Sequence, residues 1–226
     1  MRRMRVEDVM ARRPITVTPD TPFKQVVAAL LDHLISAVPV LDATGRVVGV
    51  VSEADLVLKE AEPDVTPDGH VFEGPRRRRE RRKSTGRTAA ELMTAPAVTI
   101  SPTRTVAEVA EVMRKHRVRR LPVTDPVSGR LLGVVSRSDL LRVYLRADGE
   151  IQAQVSEVFR RALSMDPRRF VVGVRDGVVT VRGEVERRAL IPGVVNTLAH
   201  VEGVVGVEPH LTYREDDRHP TAPTYW

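Results

Sequence analysis

One segment of this chain occurs twice, and the duplication limits the fold more than any other feature. Residues 9–56 and 92–140 align at an offset of 83. Val9-Met10 matches Leu92-Met93, Thr16-Val17-Thr18-Pro19 matches Thr99-Ile100-Ser101-Pro102, His33 matches His116, and Val38-Pro39-Val40 matches Leu121-Pro122-Val123. After one inserted residue the offset becomes 84, and Gly49-Val50-Val51-Ser52-x-x-Asp55-Leu56 matches Gly133-Val134-Val135-Ser136-x-x-Asp139-Leu140. Two copies of one unit pack against each other with approximate twofold symmetry. The seam between them is then the natural place for a ligand.

Each copy reads strand–helix–strand–strand–helix. In the first, Pro14 to Thr18 is extended, and Thr21-Pro22 opens a helix with Thr as N-cap and Pro in the first turn. Phe23, Val26, Val27, Leu30, Leu31 and Leu34 follow helical spacing and form its apolar face. Ala37 to Leu41 is a strand, Asp42 to Gly45 a turn, Arg46 to Val51 a strand, and Ser52 starts a helix. In the second copy Thr105-x-x-Glu108 forms a capping box, with Val106, Val109, Ala110 and Met113 as the buried stripe.

A third unit begins near Gly149. Ile151, Val155, Val158, Phe159 and Ala162 mark a helix, and Phe170 to Arg175 a strand. Asp176-Gly177 is the strongest hairpin turn in the chain. Val178 to Arg182 returns as a strand ended by Gly183, Glu186 to Ala199 is a helix despite Pro192, and Val204 to Tyr213 is a last strand. The predicted order is αββαβ over residues 150–213, with a loose polar tail at 214–226. The expected class is α/β (α+β), with the two repeats at 4–59 and 88–146 packed as a pseudo-twofold module.

Between the repeats, residues 60–87 are rich in Pro, Gly and charge without usable periodicity. This insert carries the run Arg76, Arg77, Arg78, Arg79, Glu80, Arg81, Arg82 and Lys83. The whole chain has 36 basic and 30 acidic residues; without the run 29 remain of each, so its net charge of +6 is local. Seven cations can hold phosphates non-specifically, or the run can be a solvated linker, or it can fold over the cleft of the module. With no aromatic residues interleaved, reading of nucleic-acid bases is not expected. The chain has no cysteine, which excludes disulfides and thiolate chemistry. No apolar run approaches the roughly 18 residues of a membrane span, and the basic start lacks a following apolar stretch. A cytoplasmic location, peripheral to the membrane at most, is the expectation. The six histidines show no metal spacing, and no P-loop or dinucleotide fingerprint occurs.

The repeated Ser-x-x-Asp has two explanations. Ser can cap a helix whose first turn holds the Asp. Equally, a Ser at a helix start suits phosphate, and an Asp beside it can accept hydrogen bonds from both ribose hydroxyls. The paired residues, with the VM/LM starts, the T-h-x-P segments and the h-P-V strands, resemble two CBS domains in tandem, a Bateman module. The resemblance implies a cleft that binds an adenosine-containing ligand (AMP, ADP, ATP or S-adenosylmethionine), no required cofactor, no metal, no catalysis, and pairing into a homodimer. It assigns one site to Asp139 and Ser136, with Arg119 and Arg120 on the phosphates and Met10, Ile15, Ile35 and Ser36 against the adenine. The symmetric site would use Asp55 and Ser52, with Met93, Val98, Val118 and Arg119 on the adenine side. There Ser36 and Ala37 stand where Arg119 and Arg120 stand in the second copy, so the Asp139 site is expected to be the better phosphate site.

The glycine and valine framework of the third unit, Val174-x-x-Gly177-Val178-Val179-x-Val181-x-Gly183 with Val201-x-Gly203-Val204-x-x-Val207, resembles a BON domain. That family implies contact with a protein partner or an anionic membrane surface. The expected function is therefore a non-catalytic sensor, with a dimeric scaffold that binds no nucleotide as the alternative.

Overall fold

The two repeats complete each other's cores. In the computed structural model, which describes residues 4–59 and 83–217, the first repeat contains α1 (Val6–Val9), α2 (Phe23–Asp32), β1 (Ala37–Leu41), β2 (Val47–Ser52) and α3 (Glu53–Val57). The second contains α4 (Ala89–Leu92), α5 (Val106–His116), β3 (Arg120–Thr124), β4 (Leu131–Ser136) and α6 (Arg137–Leu141). Val6 and Val9 of α1 pack with Val109, Met113, Leu121, Val123 and Val135 of the second repeat. Ala89 and Leu92 of α4 pack with Val26, Leu30, Val38, Val40 and Val51 of the first. Backbone bonds fix the exchange: Val6 N donates to Arg104 O at 2.9 Å and Ala89 N to Thr21 O at 2.9 Å.

Each repeat is built on an antiparallel hairpin, β1–β2 or β3–β4, and even the register irregularity is duplicated, at Val40/Leu41 and at Val123/Thr124. Val17 bridges Val40 and Ile100 bridges Val123 in parallel fashion, so the predicted first strand of each repeat is only a single bridge. On the other side of each hairpin the opposite repeat contributes: Thr94 pairs with Val50, and Ala11 with Val134. Gly49 and Gly133 permit this approach. A Cβ on Gly133 would lie 2.7 Å from Ala11 O, and one on Gly49 would overlap the Met93 side chain.

Some expected boundaries shift. Pro22, not Thr21, occupies the N-cap of α2, and the Thr21 hydroxyl accepts from Thr18 N at 3.0 Å to close the preceding turn. Leu34 lies beyond the helix, with φ +51° and 90% exposure, and Leu31 is also exposed. The apolar face of α2 therefore narrows to its buried residues Val26 and Leu30. In α5, Thr105 and Glu108 form the expected reciprocal cap, with Thr105 N donating to Glu108 Oε2 at 2.7 Å and Glu108 N to Thr105 Oγ1 at 3.3 Å. These bonds, led by the Thr105 amide, hold the Glu108 carboxyl down to about 2. Val109 and Met113 are buried beneath it, whereas Ala110 is exposed.

The chain divides at Leu140/Leu141. The second unit has the order α7 (Asp148–Arg161), β5 (Phe170–Arg175), β6 (Val178–Arg187), α8 (Leu190–Ala199) and β7 (Gly206–Glu215), the αββαβ order expected. β5 and β6 are antiparallel, β6 and β7 parallel; α8 supplies the crossover that a parallel pair requires. Asp176 and Gly177 both have positive φ, as a type I′ hairpin needs, and their amides donate to the two Asp148 carboxylate oxygens at 2.9 Å each. The core stacks Phe159 on Phe170, centroids 4.4 Å apart, beside Val179, Val181, Val194 and Leu198.

Gly183 does not end β6. The strand runs on to Arg187, which pairs with Glu215, so Glu186 and Arg187 are strand rather than helix. Gly183 adopts φ +154°, and a Cβ there would meet Arg169 O and Phe170 Cδ1 at 2.7 Å; its role is to admit Phe170. Pro192 falls in the first turn of the shortened α8, where its missing N–H has no helical acceptor to lose. Arg214 and Glu215 belong to β7 rather than to a loose tail.

Candidate functional site

Both Ser-x-x-Asp motifs close a cap across the start of a short helix. Ser52 N and Ser52 Oγ donate to Asp55 Oδ2 at 2.8 and 2.7 Å. Ser136 N and Ser136 Oγ donate to Asp139 Oδ2 at 2.9 and 2.5 Å. Asp55 and Ser136 are buried. The helices that follow, α3 and α6, have five residues each, so their dipoles are small and the motif's chemistry rests on its side chains.

A cavity of about 410 Å³ opens at Asp55. Ser36, Ala37, Ser52, Glu53 and Asp55 line it from the first repeat, and Thr94, Ala97, Val98, Arg117, Val118, Arg119 and Arg120 from the second. The site thus crosses the seam. Arg120, expected only at Asp139, and Arg119, expected on the phosphates there and on the adenine side at Asp55, both line the Asp55 cavity. The reason lies in strand geometry. The backbone of Arg120 pairs with Ser136 and Arg119 O accepts from Arg137 N at 3.1 Å, so the main chain does run beside the second motif, as the resemblance implied. The Arg120 side chain instead crosses the seam, and its Nε donates to Ser36 Oγ at 3.2 Å.

Sequence reasoning missed Arg117, Thr94 and Ala97. Arg117 follows α5 with φ +54° and is the repeat counterpart of Leu34, φ +51°; the shared left-handed position turns both residues away from their helices. Thr94 Oγ1 lies 3.4 Å from Asp55 Oδ1, and its counterpart is Ala11, so the two carboxylates have unequal surroundings. Val98 and Val118, expected at the Asp55 site, line its cavity, whereas the other expected apolar residues lie on the cores. Ile15, Ile35 and Met93 pack on the core of the first repeat, and Met10 packs on that of the second. Of the expected polyanion run, Arg76, Arg77, Arg78, Arg79, Arg81 and Arg82 lie outside the described residues.

Lys83, the last member of that run, contacts a carboxylate. Its Nζ donates to Asp55 Oδ1 and to Thr94 Oγ1 at 2.6 Å. The Lys83 and Asp55 side chains are only 13% and 12% exposed. Among the described residues no group of three His, Asp or Glu side chains could hold a metal ion, and no helix is long and apolar enough to cross a membrane.

The CBS domain family matches residues 6–62 and 89–146, and the BON domain family matches residues 147–215. The uncharacterized protein MK0525 of Methanopyrus kandleri is 27% identical over 143 residues, 63% of this chain and 64% of that protein. MJ1426 of Methanocaldococcus jannaschii is 29% identical over 156 residues, 63% of this chain and 92% of that protein. Among solved structures, CBSX2 of Arabidopsis thaliana in complex with AMP is similar with a TM-score of 0.55 and 25% identity, covering 63% of this chain and 97% of that one. The two CBS matches span just over half of the sequence and the BON match follows directly, so the chain belongs to the CBS domain family, as a tandem CBS pair with a BON domain after it.

Proposed function

We propose that this protein is a non-catalytic sensor that binds an adenosine-containing ligand, AMP or a relative of it, in the cavity at Asp55. The observation that carries the reading is the composition of that cavity. Val98, Val118, Ala37 and Ala97 offer an apolar wall suited to a purine. Asp55 offers a carboxylate suited to vicinal ribose hydroxyls, and Arg117, Arg119 and Arg120 offer guanidinium groups suited to phosphate. The volume of about 410 Å³ lies within the range of small-molecule sites. The AMP complex of CBSX2, a similar CBS pair, supports the ligand class. The phosphate preference belongs to the Asp55 site, because the arginines gather there. The Asp139 site is the one suited to a less charged adenosyl ligand. The BON domain is the output side, contacting a protein partner or an anionic membrane surface, and the CBS pair forms a homodimer.

Thermal melting with AMP, ATP or S-adenosylmethionine tests the reading. A ligand specific to the folded state at about 100 times its Kd adds roughly 2.7 kcal/mol, an unmistakable rise in Tm. No rise with any of the three favours the scaffold alternative. Calorimetric titration then separates the groups: AMP should bind more tightly than adenosine, and replacing Arg119 and Arg120 by Ala should remove the difference. Equal affinities in the unmodified protein would refute the phosphate assignment.

A further inference from the structure

The Asp55 carboxylate is already occupied from within the chain. Its Oδ2 accepts from Ser52 N and Oγ, and its Oδ1 accepts from Lys83 Nζ and Thr94 Oγ1. Two donors on each oxygen fill the lone-pair positions of an ionised carboxylate. A ribose whose hydroxyls donate to Asp55 has to displace one of these donors. Ser52 is fixed by its own helix cap. Lys83 is bonded through a flexible four-carbon stem and is the donor that can leave.

We infer that Lys83 is an internal competitor at the Asp55 site: its ammonium takes the place of ribose hydroxyls, and a ribose-bearing ligand binds there only by displacing it. This rests on the reading of Asp55 as the ribose-binding carboxylate. The anchoring of the chain after Lys83 supports it. Gly86 N donates to Lys83 O at 3.1 Å, and Phe23 N donates to Arg87 O at 2.8 Å. Lys59 Nζ donates to Gly86 O at 3.0 Å while lying 4.6 Å from the centre of the Phe23 ring. Three residues beyond Lys83 the chain is held to the first repeat, so the ammonium can withdraw by side-chain rotation without releasing that attachment.

The test compares AMP binding by the full chain and by Lys83→Met, which retains most of the apolar stem and removes the charge. Loss of a charge-assisted competitor should tighten AMP binding about tenfold. The second readout is the acetylation rate of Lys83, followed by peptide mass spectrometry in the unmodified protein. It should be slow without ligand and should rise severalfold with saturating AMP. Asp55→Asn should raise it without AMP. Binding by Lys83→Met alone would also support the competition, as its extreme case. Equal or weaker binding by Lys83→Met, or continued protection of Lys83 with AMP bound, overturns it; weaker binding with protection identifies Lys83 as a phosphate contact instead. If neither protein binds AMP, the ligand reading fails and this inference with it, an outcome distinct from binding that is indifferent to Lys83.

Discussion

Replacing Leu92 by Ala tests the exchange of helices between the repeats. Leu92 belongs by sequence to the second repeat, yet its side chain is 0% exposed within the core of the first, among Val26, Leu30, Val38, Val40 and Val51. A buried Leu→Ala substitution removes three carbons and leaves a cavity that a core crossed by backbone bonds on both sides cannot close. The expected loss is about 3 kcal/mol, a large part of the 5–15 kcal/mol typical of a domain. Urea denaturation measures it as a lower midpoint at unchanged slope. Hydrogen exchange then locates it. In Leu92→Ala, amides of residues 23–52 should lose protection first, although the substitution lies about forty positions further along the chain. Val6→Ala is the reciprocal experiment, expected to cost about 2 kcal/mol and to loosen residues 106–136. If Leu92→Ala costs under about 1 kcal/mol, or if its loosened amides fall within its own repeat, the packing argument is refuted.

Two further outcomes follow from individual contacts. Because the folded Glu108 carboxyl is depressed to about 2, below its unfolded value, its stabilising effect is fully present above the unfolded pKa. It is lost as pH falls from about 4.5 toward 2. Glu108→Gln should therefore flatten the stability profile in that acid window, and an unchanged profile between pH 5 and about 2 would contradict the cap's role. In the second unit, Gly183→Ala sets a Cβ 2.7 Å from Arg169 O and Phe170 Cδ1. It should cost about 2 kcal/mol or more and weaken the stacking of Phe170 on Phe159. A neutral result in thermal melting would show that this close approach is easily relaxed.

The hairpins, the Thr105 cap and the αββαβ order were legible because they depend on residues close together in sequence. Alternating valines, Asp176-Gly177 and Thr105-x-x-Glu108 each carry their own geometry. What depends on partners far apart in sequence was not legible. The repeat alignment pairs Val9 with Leu92 but does not say which copy's core holds either of them. The resemblance put Arg119 and Arg120 beside Ser136, which is true of the backbone pairing, while the Arg120 side chain crosses the seam to Ser36 and both arginines line the cavity at Asp55. Gly183 looked like a strand terminus because a glycine offers no signal of the ring that approaches it. Lys83 was grouped with the cations that precede it, since nothing local reveals a bond to a carboxylate 28 positions away.

The exchanged helices α1 and α4 also say something about the linkage between the halves. Each half contributes a piece the other lacks, so one copy of the repeat by itself has an incomplete interior. Two separate copies could complete each other by the same reciprocal insertion, and the tandem chain is the covalently fused form of such a swapped pair. The peptide between residues 60 and 82 keeps the partners at high local concentration, but the mutual insertion is what fastens them. Cutting the backbone there should leave the two fragments associated, whereas neither repeat expressed without the other should fold stably.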